Sequence, residues 1–249
     1  CGSIMSKKIS EGIKGLVLDI KVGNGAFMRT LEDGKKLGSL LKYVGENFGV
    51  STKVVFSNMD QPLGNTAGMW CEIEESIQAL KGKGSPDLMK VVFELGSRLI
   101  IEAGFTDSHA ESINMQKKSI SNGKALKKFK KMVSNQNGKI EKGDELNKPL
   151  FSKEVISEKD GFLKCLNTTS IGWAAAKMGC GRKSKNDTLD NTAGIKFNFK
   201  VGDRIKKGDQ VMYCFNSNNN KLNEAHSQLS TAYQISDEKV KPINTIYRD

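Results

Sequence analysis

Leu16-Val-Leu-Asp-Ile-Lys-Val-Gly-Asn-Gly-Ala-Phe-Met28 decides how this chain is read. An apolar run that closes in Gly-x-Gly reads as a buried strand delivering a glycine turn to a ligand site. Ahead of it, Ser3 to Ser10 is helix-compatible and closes at Gly12, a residue suited to the left-handed conformation that ends helices. Behind it, Leu31, Leu37, Leu40, Leu41, Val44 and Phe48 recur on one face of a helix spanning about Thr30 to Asn47. Val50 to Ser57 then returns as a strand rich in β-branched residues. Strand, helix, strand makes a βαβ unit and implies a parallel sheet. A second loop, Asn58-Met-Asp-Gln-Pro-Leu-Gly-Asn-Thr-Ala-Gly68, leaves the second strand at its carboxyl end, where such sheets place ligands.

A strand needs a sheet, and only one short helix stands before the first strand. With Cys1 in place of an initiator methionine, a fragment or a processed chain is expected. Further on, helices are expected over Glu72 to Leu80 and Pro86 to Ala103, with a weaker helical region from Ser108 to Val133. Ser134 to Lys148 is polar and aperiodic and reads as a linker. Past it, Lys153 to Leu163 reads as a hairpin-forming strand pair and Ser170 to Met178 as a helix. Ile195 to Cys214 reads as short strands joined by glycine turns. The fold class is therefore α/β: a partial mixed or parallel sheet flanked by helices, followed by a smaller α+β domain.

Composition bounds the function. With 249 residues and 37% hydrophobic content the chain buries a sizeable core, enough for one large or two small domains. No run approaches the roughly 18–20 apolar residues of a membrane span, so no membrane partner is expected. Cys1, Cys71, Cys165, Cys180 and Cys214 are odd in number and scattered without a C-x-x-C pair. That argues against a disulfide framework or a zinc site and for a reducing, cytoplasmic setting. The net charge of +11 invites a nucleic-acid reading. Its densest run, Lys124 to Lys131, has only Phe129 among the lysines, which suits a solvated helix face better than a base-stacking surface. No nucleic-acid partner is expected.

The glycine turn is not a dinucleotide fingerprint, because Met28 stands where G-x-G-x-x-G needs its third glycine. Ser3 and Lys7, at i and i+4, lie on one face of the first helix. A hydroxyl and an ammonium aimed together hold and polarise a planar, carbonyl-bearing ligand. Asp19 and Lys21 point to one face of the first strand. Arg182 reads as a tie between two domains, and Met69-Trp70 as helix packing.

Together, Ser3-Ile-Met-Ser-Lys-Lys8, the strand and turn to Met28, Asp60-Gln-Pro-Leu-Gly64 with Gly68, and Met178-Gly-Cys-Gly-Arg182 closely resemble the thymidine and pyrimidine-nucleoside phosphorylases. The resemblance runs in register from Cys1 to Ile246-Tyr247. It implies phosphorolysis of thymidine or another pyrimidine nucleoside by inorganic phosphate, giving free base and a (deoxy)ribose 1-phosphate, in a homodimer. It implies three regions: residues 1–12 as the remnant of a helical, base-binding domain, 13–148 as the α/β domain, and 149–249 as a C-terminal, barrel-sandwich-like domain. By the same resemblance Ser3 and Lys7 bind the pyrimidine, Lys7 favouring negative charge on the departing base, and Phe27 walls its pocket. Leu63 and Thr66, through backbone carbonyls, and Glu75, through its carboxylate, fall where some bacterial members hold a monovalent cation such as potassium. No redox or organic cofactor is implied. The family's phosphate-binding Lys-His-Ser segment and its base-binding arginine have no counterpart in these residues, so the isolated chain is expected to be inactive. The alternative is a noncatalytic or regulatory protein on the same fold.

Overall fold

The computed structural model describes residues 1–182 and 184–247. Helix α1, Gly2–Ser10, opens the chain, and Gly12, at φ +68°, turns the backbone out of it. Strand β1, Gly15–Val22, pairs in parallel with β2, Ser51–Asn58, from Gly15 opposite Ser51 to Val22 opposite Asn58. Helix α2, Leu31–Asn47, makes the crossover, with the Thr30 hydroxyl accepting from Asp33 N at its first turn. The βαβ unit and its parallel pairing are thus as the sequence pattern implies.

The packed face of α2 differs from the expected leucine stripe. Its buried residues are Gly34, Gly38, Leu41 and Gly45, while Leu40 and Phe48 are exposed. The glycines let the helix axis approach β1 and β2 closely, so that Ile20, Val22, Val54 and Phe56 fill the space side chains on α2 would otherwise take. Leu31, Leu37 and Val44 pack partly buried around this core, and Met5 of α1 is buried in it. Helix α4, Pro86–Glu102, covers the other face, with Glu102 against Gly15 and 3.6 Å from Lys53. The outer edge of β2 is closed by the chain's return, Asn58 N donating to Thr245 O and Tyr247 N to Phe56 O. Among the described strands β1 pairs with β2 alone; along its other edge, free elsewhere among the described residues, Val22 makes an isolated bridge to Met28.

Helix α3, Trp70–Gln78, precedes α4, and α5, His109–Ser121, and α6, Lys124–Asn135, follow it. The weak helical region is therefore two helices broken at Gly123, at φ +74°. The five lysines from Lys124 to Lys131 are all exposed on α6. The stretch read as a linker contains a short helix, α7, Gly143–Leu146. It is held by Trp70, whose indole N–H donates to Asp144 Oδ1 at 2.8 Å while its ring lies flat on Gly143.

Strands β4, Phe151–Ile156, and β5, Gly161–Leu166, are not the expected hairpin. They diverge after Ser157 into different sheets: β4 pairs with β8, Gln210–Asn216, and β5 with β7, Arg204–Ile205, and β9, Tyr233–Ser236. Both strands are antiparallel to their true partners, and alternation alone does not name a partner. The four-stranded sheet runs β3-β6-β8-β4, where β6 is Gly194–Phe197 and β3 is Thr66–Gly68, the end of the second loop. Helices α8, Thr168–Ala175, and α9, Asn219–Leu229, pack on these sheets over a second core that includes Leu163, Ile171, Met178, Ile195, Met212 and Leu222. Sequence reading missed α9, although Asn218 caps it and Leu222, Ala225 and Leu229 mark its buried face. The fold is mixed α/β, and none of its described helices is long and apolar enough to cross a membrane.

The α2–sheet contact yields a test. A methyl group on Gly45 would lie 2.1 Å from Thr52 Oγ1, and Thr52 is fully buried. Helix propensity favours Gly45→Ala by about 1 kcal/mol, but overpacking costs about 1–3 kcal/mol. Urea denaturation should show a net loss of up to about 2 kcal/mol; a stabilised variant would mean that α2 stands off the sheet.

Candidate functional site

Two adjoining cavities flank the glycine turn. The smaller, about 360 Å³, is lined by Leu18, Asp19, Ile20 and Lys21 of β1, by Ile4 of α1 and by Phe27. Residues from both faces of β1 line it, so it runs along the strand's free edge. The larger, about 720 Å³ and mostly apolar, lies between the second loop and α8 and includes Leu63, Thr66, Glu75, Trp173 and Phe27. Phe27 stands between the two with its side chain fully exposed.

Ser3 and Lys7 are exposed on α1 and are not among the lining residues. At about 100° per residue, Lys7 falls between Ser3 and Ile4 on the helix, while Met5 and Ile9 face the core. Of α1, Ile4 lines the smaller cavity, and Ser3 and Lys7 lie beside it on the exposed side of the helix. Inside, Lys21 Nζ donates to Asp19 Oδ2 at 2.6 Å and to Ser57 Oγ at 2.9 Å, and Ser57 donates to Asp19 Oδ1 at 2.6 Å. This closed triangle engages the one ammonium among the described lining residues of that cavity and ties the ends of β1 and β2 just ahead of the two loops.

The glycines of the turn serve close approach. Gly23 has φ +137°, and a Cβ there would meet Asp60 N at 2.8 Å; one on Gly25 would lie 2.5 Å from Thr168 Cγ2 and 2.9 Å from Met59 O. Three backbones therefore meet around Asn24, a residue that sequence reading passed over. Asn24 N donates to Asp60 Oδ1 at 2.7 Å, and its amide donates to Leu166 O at 3.1 Å. Its Oδ1 accepts from Thr168 N at 2.7 Å, and its carbonyl accepts from Thr169 Oγ1 and Arg29. An Asn between two glycines was the available signal: it is the residue whose amide both donates and accepts where the backbone has no side chains to shield it.

The second loop is held from two sides. Glu75 accepts from Asn65 N at 2.6 Å, Thr66 N at 3.0 Å and Thr66 Oγ1 at 2.6 Å, and Glu72 accepts from Gly68 N at 2.7 Å. Leu63, Thr66 and Glu75 are thus brought together, with both Glu75 oxygens engaged by the loop's own donors. On the other side Lys200 Nζ donates to Pro62 O at 2.7 Å, to Gly64 O and to Asp87 Oδ2 at 2.8 Å. Burial alone would raise the Asp87 carboxyl; the hydrogen bond and charge of Lys200 outweigh it and hold it below the ordinary aspartate value.

Arg182 is exposed, and among the described residues it is Asn24 and Lys200 whose hydrogen bonds tie the two halves of the chain. Burial pushes the Cys180 thiol up to about 12, with Cys71, Asp190 and Glu72 adding to the effect, which disfavours the nucleophilic thiolate.

Residues 2–126 match the family model described as "Glycosyl transferase family, a/b domain", and residues 162–236 match "Pyrimidine nucleoside phosphorylase C-terminal domain". The pyrimidine-nucleoside phosphorylases of Staphylococcus aureus strains USA300 and COL are each 36% identical to this chain over 243 residues, 96% of its length. The chain spans 56% of the length of each.

Removing the Asn24 amide leaves Thr168 N without its acceptor. Asn24→Ala should cost about 2–3 kcal/mol in urea denaturation; a loss under about 0.5 kcal/mol would mean that these bonds add nothing net. For Asp87, a lowered folded value means stability that is present above the unfolded value of about 3.9 and lost as pH falls through the folded one. The stability gap between wild type and Asp87→Asn should therefore be full at pH 6 and close below pH 4, and a gap independent of pH would exclude the ion pair as its source.

Proposed function

This chain belongs to the pyrimidine-nucleoside phosphorylase family, and on that premise we propose that it carries the base-binding part of a site that cleaves thymidine or uridine with inorganic phosphate. The products are the free base and a (deoxy)ribose 1-phosphate. The observation that supports the reading is the cavity along β1, lined by Phe27 and by Ile4 of α1, with Ser3 and Lys7 exposed on the same helix.

In this reading the pyrimidine lies on Phe27, with Ser3 and Lys7 at its carbonyl edge. As the bond to C1′ lengthens, electrons pass to the base, and negative charge grows on its carbonyl oxygens. A fixed ammonium gains more from that charge than from the neutral nucleoside, so Lys7 lowers the barrier beyond any help in binding. Phosphate attacks C1′ as the base leaves, and positioning that nucleophile is the other half of catalysis. Among the described residues the cations lining the two cavities are Arg29 and Lys21, both bonded to protein oxygens, so we propose that turnover needs the further length that the relatives have. A strand from that length would pair with the free edge of β1. Leu63, Thr66 and Glu75 remain the proposed monovalent-cation position, with the Glu75 carboxylate supplying the charge. The two small antiparallel sheets are read as a barrel-sandwich-like C-terminal domain, and the working state as a cytoplasmic homodimer in pyrimidine salvage.

Phosphate-dependent release of thymine from thymidine and of uracil from uridine tests this, on the 249 residues and on a chain lengthened to the span of the relatives. Activity is expected only in the longer chain, where Lys7→Ala should lower kcat/KM by about 10²- to 10³-fold while leaving the fold intact. Wild-type kcat/KM in that variant would remove Lys7 from the site, and inactivity of both chains would favour a noncatalytic protein.

A further inference from the structure

Lys200 sits in the turn between β6 and β7, where its backbone N–H donates to Asp203 Oδ2 at 2.7 Å and Asp203 N returns a bond to Lys200 O at 3.0 Å. From this braced turn the side chain crosses to the other half of the chain. An ammonium has three donors, and here each meets an oxygen: the carbonyls of Pro62 and Gly64 and the carboxylate of Asp87. Asp87 Oδ2 also accepts from Gly64 N at 3.1 Å, and Oδ1 from Leu88 N at 2.9 Å, which fixes the carboxylate on the first turn of α4. Next door, Val201 N donates to Gln61 Oε1 at 2.9 Å. Peptide carbonyls plus one carboxylate are the oxygen donors that hard, singly charged cations take. Asn58, Gln61, Pro62 and Asp87 also bound a void of about 10 Å³ beside the carboxylate, room for little more than one small particle next to the ammonium.

We propose that Lys200 is a tethered monovalent cation around which the loop 60–66 folds, and that its site takes a free ammonium or potassium ion once the side chain is removed. The site is separate from the Leu63–Thr66–Glu75 grouping: it uses the carbonyls of Pro62 and Gly64, and Asp87 in place of Glu75. Because the ion arrives on the C-terminal half of the chain, the loop that shapes the larger cavity is ordered only when the two halves dock. Lys200 is thus a positioning residue for Leu63 and Thr66. The inference concerns folding of the loop, and no turnover is measured in its test, so it succeeds or fails separately from the base-site reading.

The test is thermal unfolding of wild type, Lys200→Ala and the double variant Lys200→Ala/Asp87→Asn in ammonium, potassium or tetramethylammonium chloride at one ionic strength. Tetramethylammonium matches the charge but is too large for the pocket and has no N–H. Wild type should unfold at the same temperature in all three salts. Lys200→Ala should fall by roughly 5 °C in tetramethylammonium and regain at least half of that in ammonium or potassium, and the double variant should regain none. Where Lys200→Ala does not fold in tetramethylammonium, the yield of folded protein on dilution from urea into each salt carries the same contrast. An unchanged Tm, an equal response to all three salts, no recovery in any salt, or recovery that survives Asp87→Asn overturns the proposal.

Discussion

The structure depends on a polar seam between two separate apolar cores. One core lies between α2 and the β1–β2 sheet, the other among the small sheets and α8 and α9. What joins them is largely hydrogen bonding: Asn24 to Leu166 and Thr168, Gln61 to Val201, Lys200 to Pro62, Gly64 and Asp87, and the β3–β6 ladder. Apolar contact tolerates sliding because it has no direction, whereas these bonds fix distance and angle. The larger cavity is lined from both halves and opens off the seam, so its shape follows from these bonds. The same geometry explains the free energies involved. A half-buried amide that makes four bonds gains only modestly from each, but a vacancy strands several partners at once.

Seen from this seam, the Gly-x-Gly turn has a different reason from the one its pattern suggests. Glycine turns after parallel strands often bring backbone N–H groups to a phosphate. Here the space that two missing side chains leave is filled by protein: Asp60 against Gly23, Thr168 against Gly25. The turn still lines both cavities, through Ala26 and Phe27. Its glycines allow the close approach of Asp60 and Thr168, and its apolar residues line the cavities.

The βαβ unit was legible because period and propensity agreed over long stretches: β-branched residues in β2, a Thr cap and a helical period in α2. The face of α2 was not, because close packing there is signalled by absent side chains, and Gly34, Gly38 and Gly45 carry no hydrophobic period. Pairing in the C-terminal half was illegible for another reason. Antiparallel strands of similar composition differ only in tertiary context, so β4 and β5 looked like each other's partners while each preferred a strand some 40 or more residues away. For the candidate site, Ser3, Lys7 and Phe27 carried a motif. Asn24 and Lys200 did not, because their roles lie in partners distant in sequence. Charge counts give no way to tell Lys200, which closes three hydrogen bonds, from the solvated lysines of α6.

The exposure of Lys7 and Phe27 bears directly on how strong the proposed base site becomes. A unit charge about 4 Å from another gains about 1 kcal/mol in water and about 4 kcal/mol at the effective dielectric of a partly buried site. With its ammonium in water, Lys7 therefore favours a developing anion by too little to account for much catalysis. The same ammonium, covered on its outer side and facing a base stacked on Phe27, gains several-fold without moving. Its effect on the leaving base is then set less by the lysine than by whatever excludes water from the face of α1. Burying Phe27 along with it would add the apolar area of a whole ring to the stability of that closed state. For the proposed base site the exposed aromatic and the exposed ammonium are thus two aspects of one requirement: a cover over the cavity along β1 would desolvate both, and the apolar gain from the first would offset the cost of drying the second.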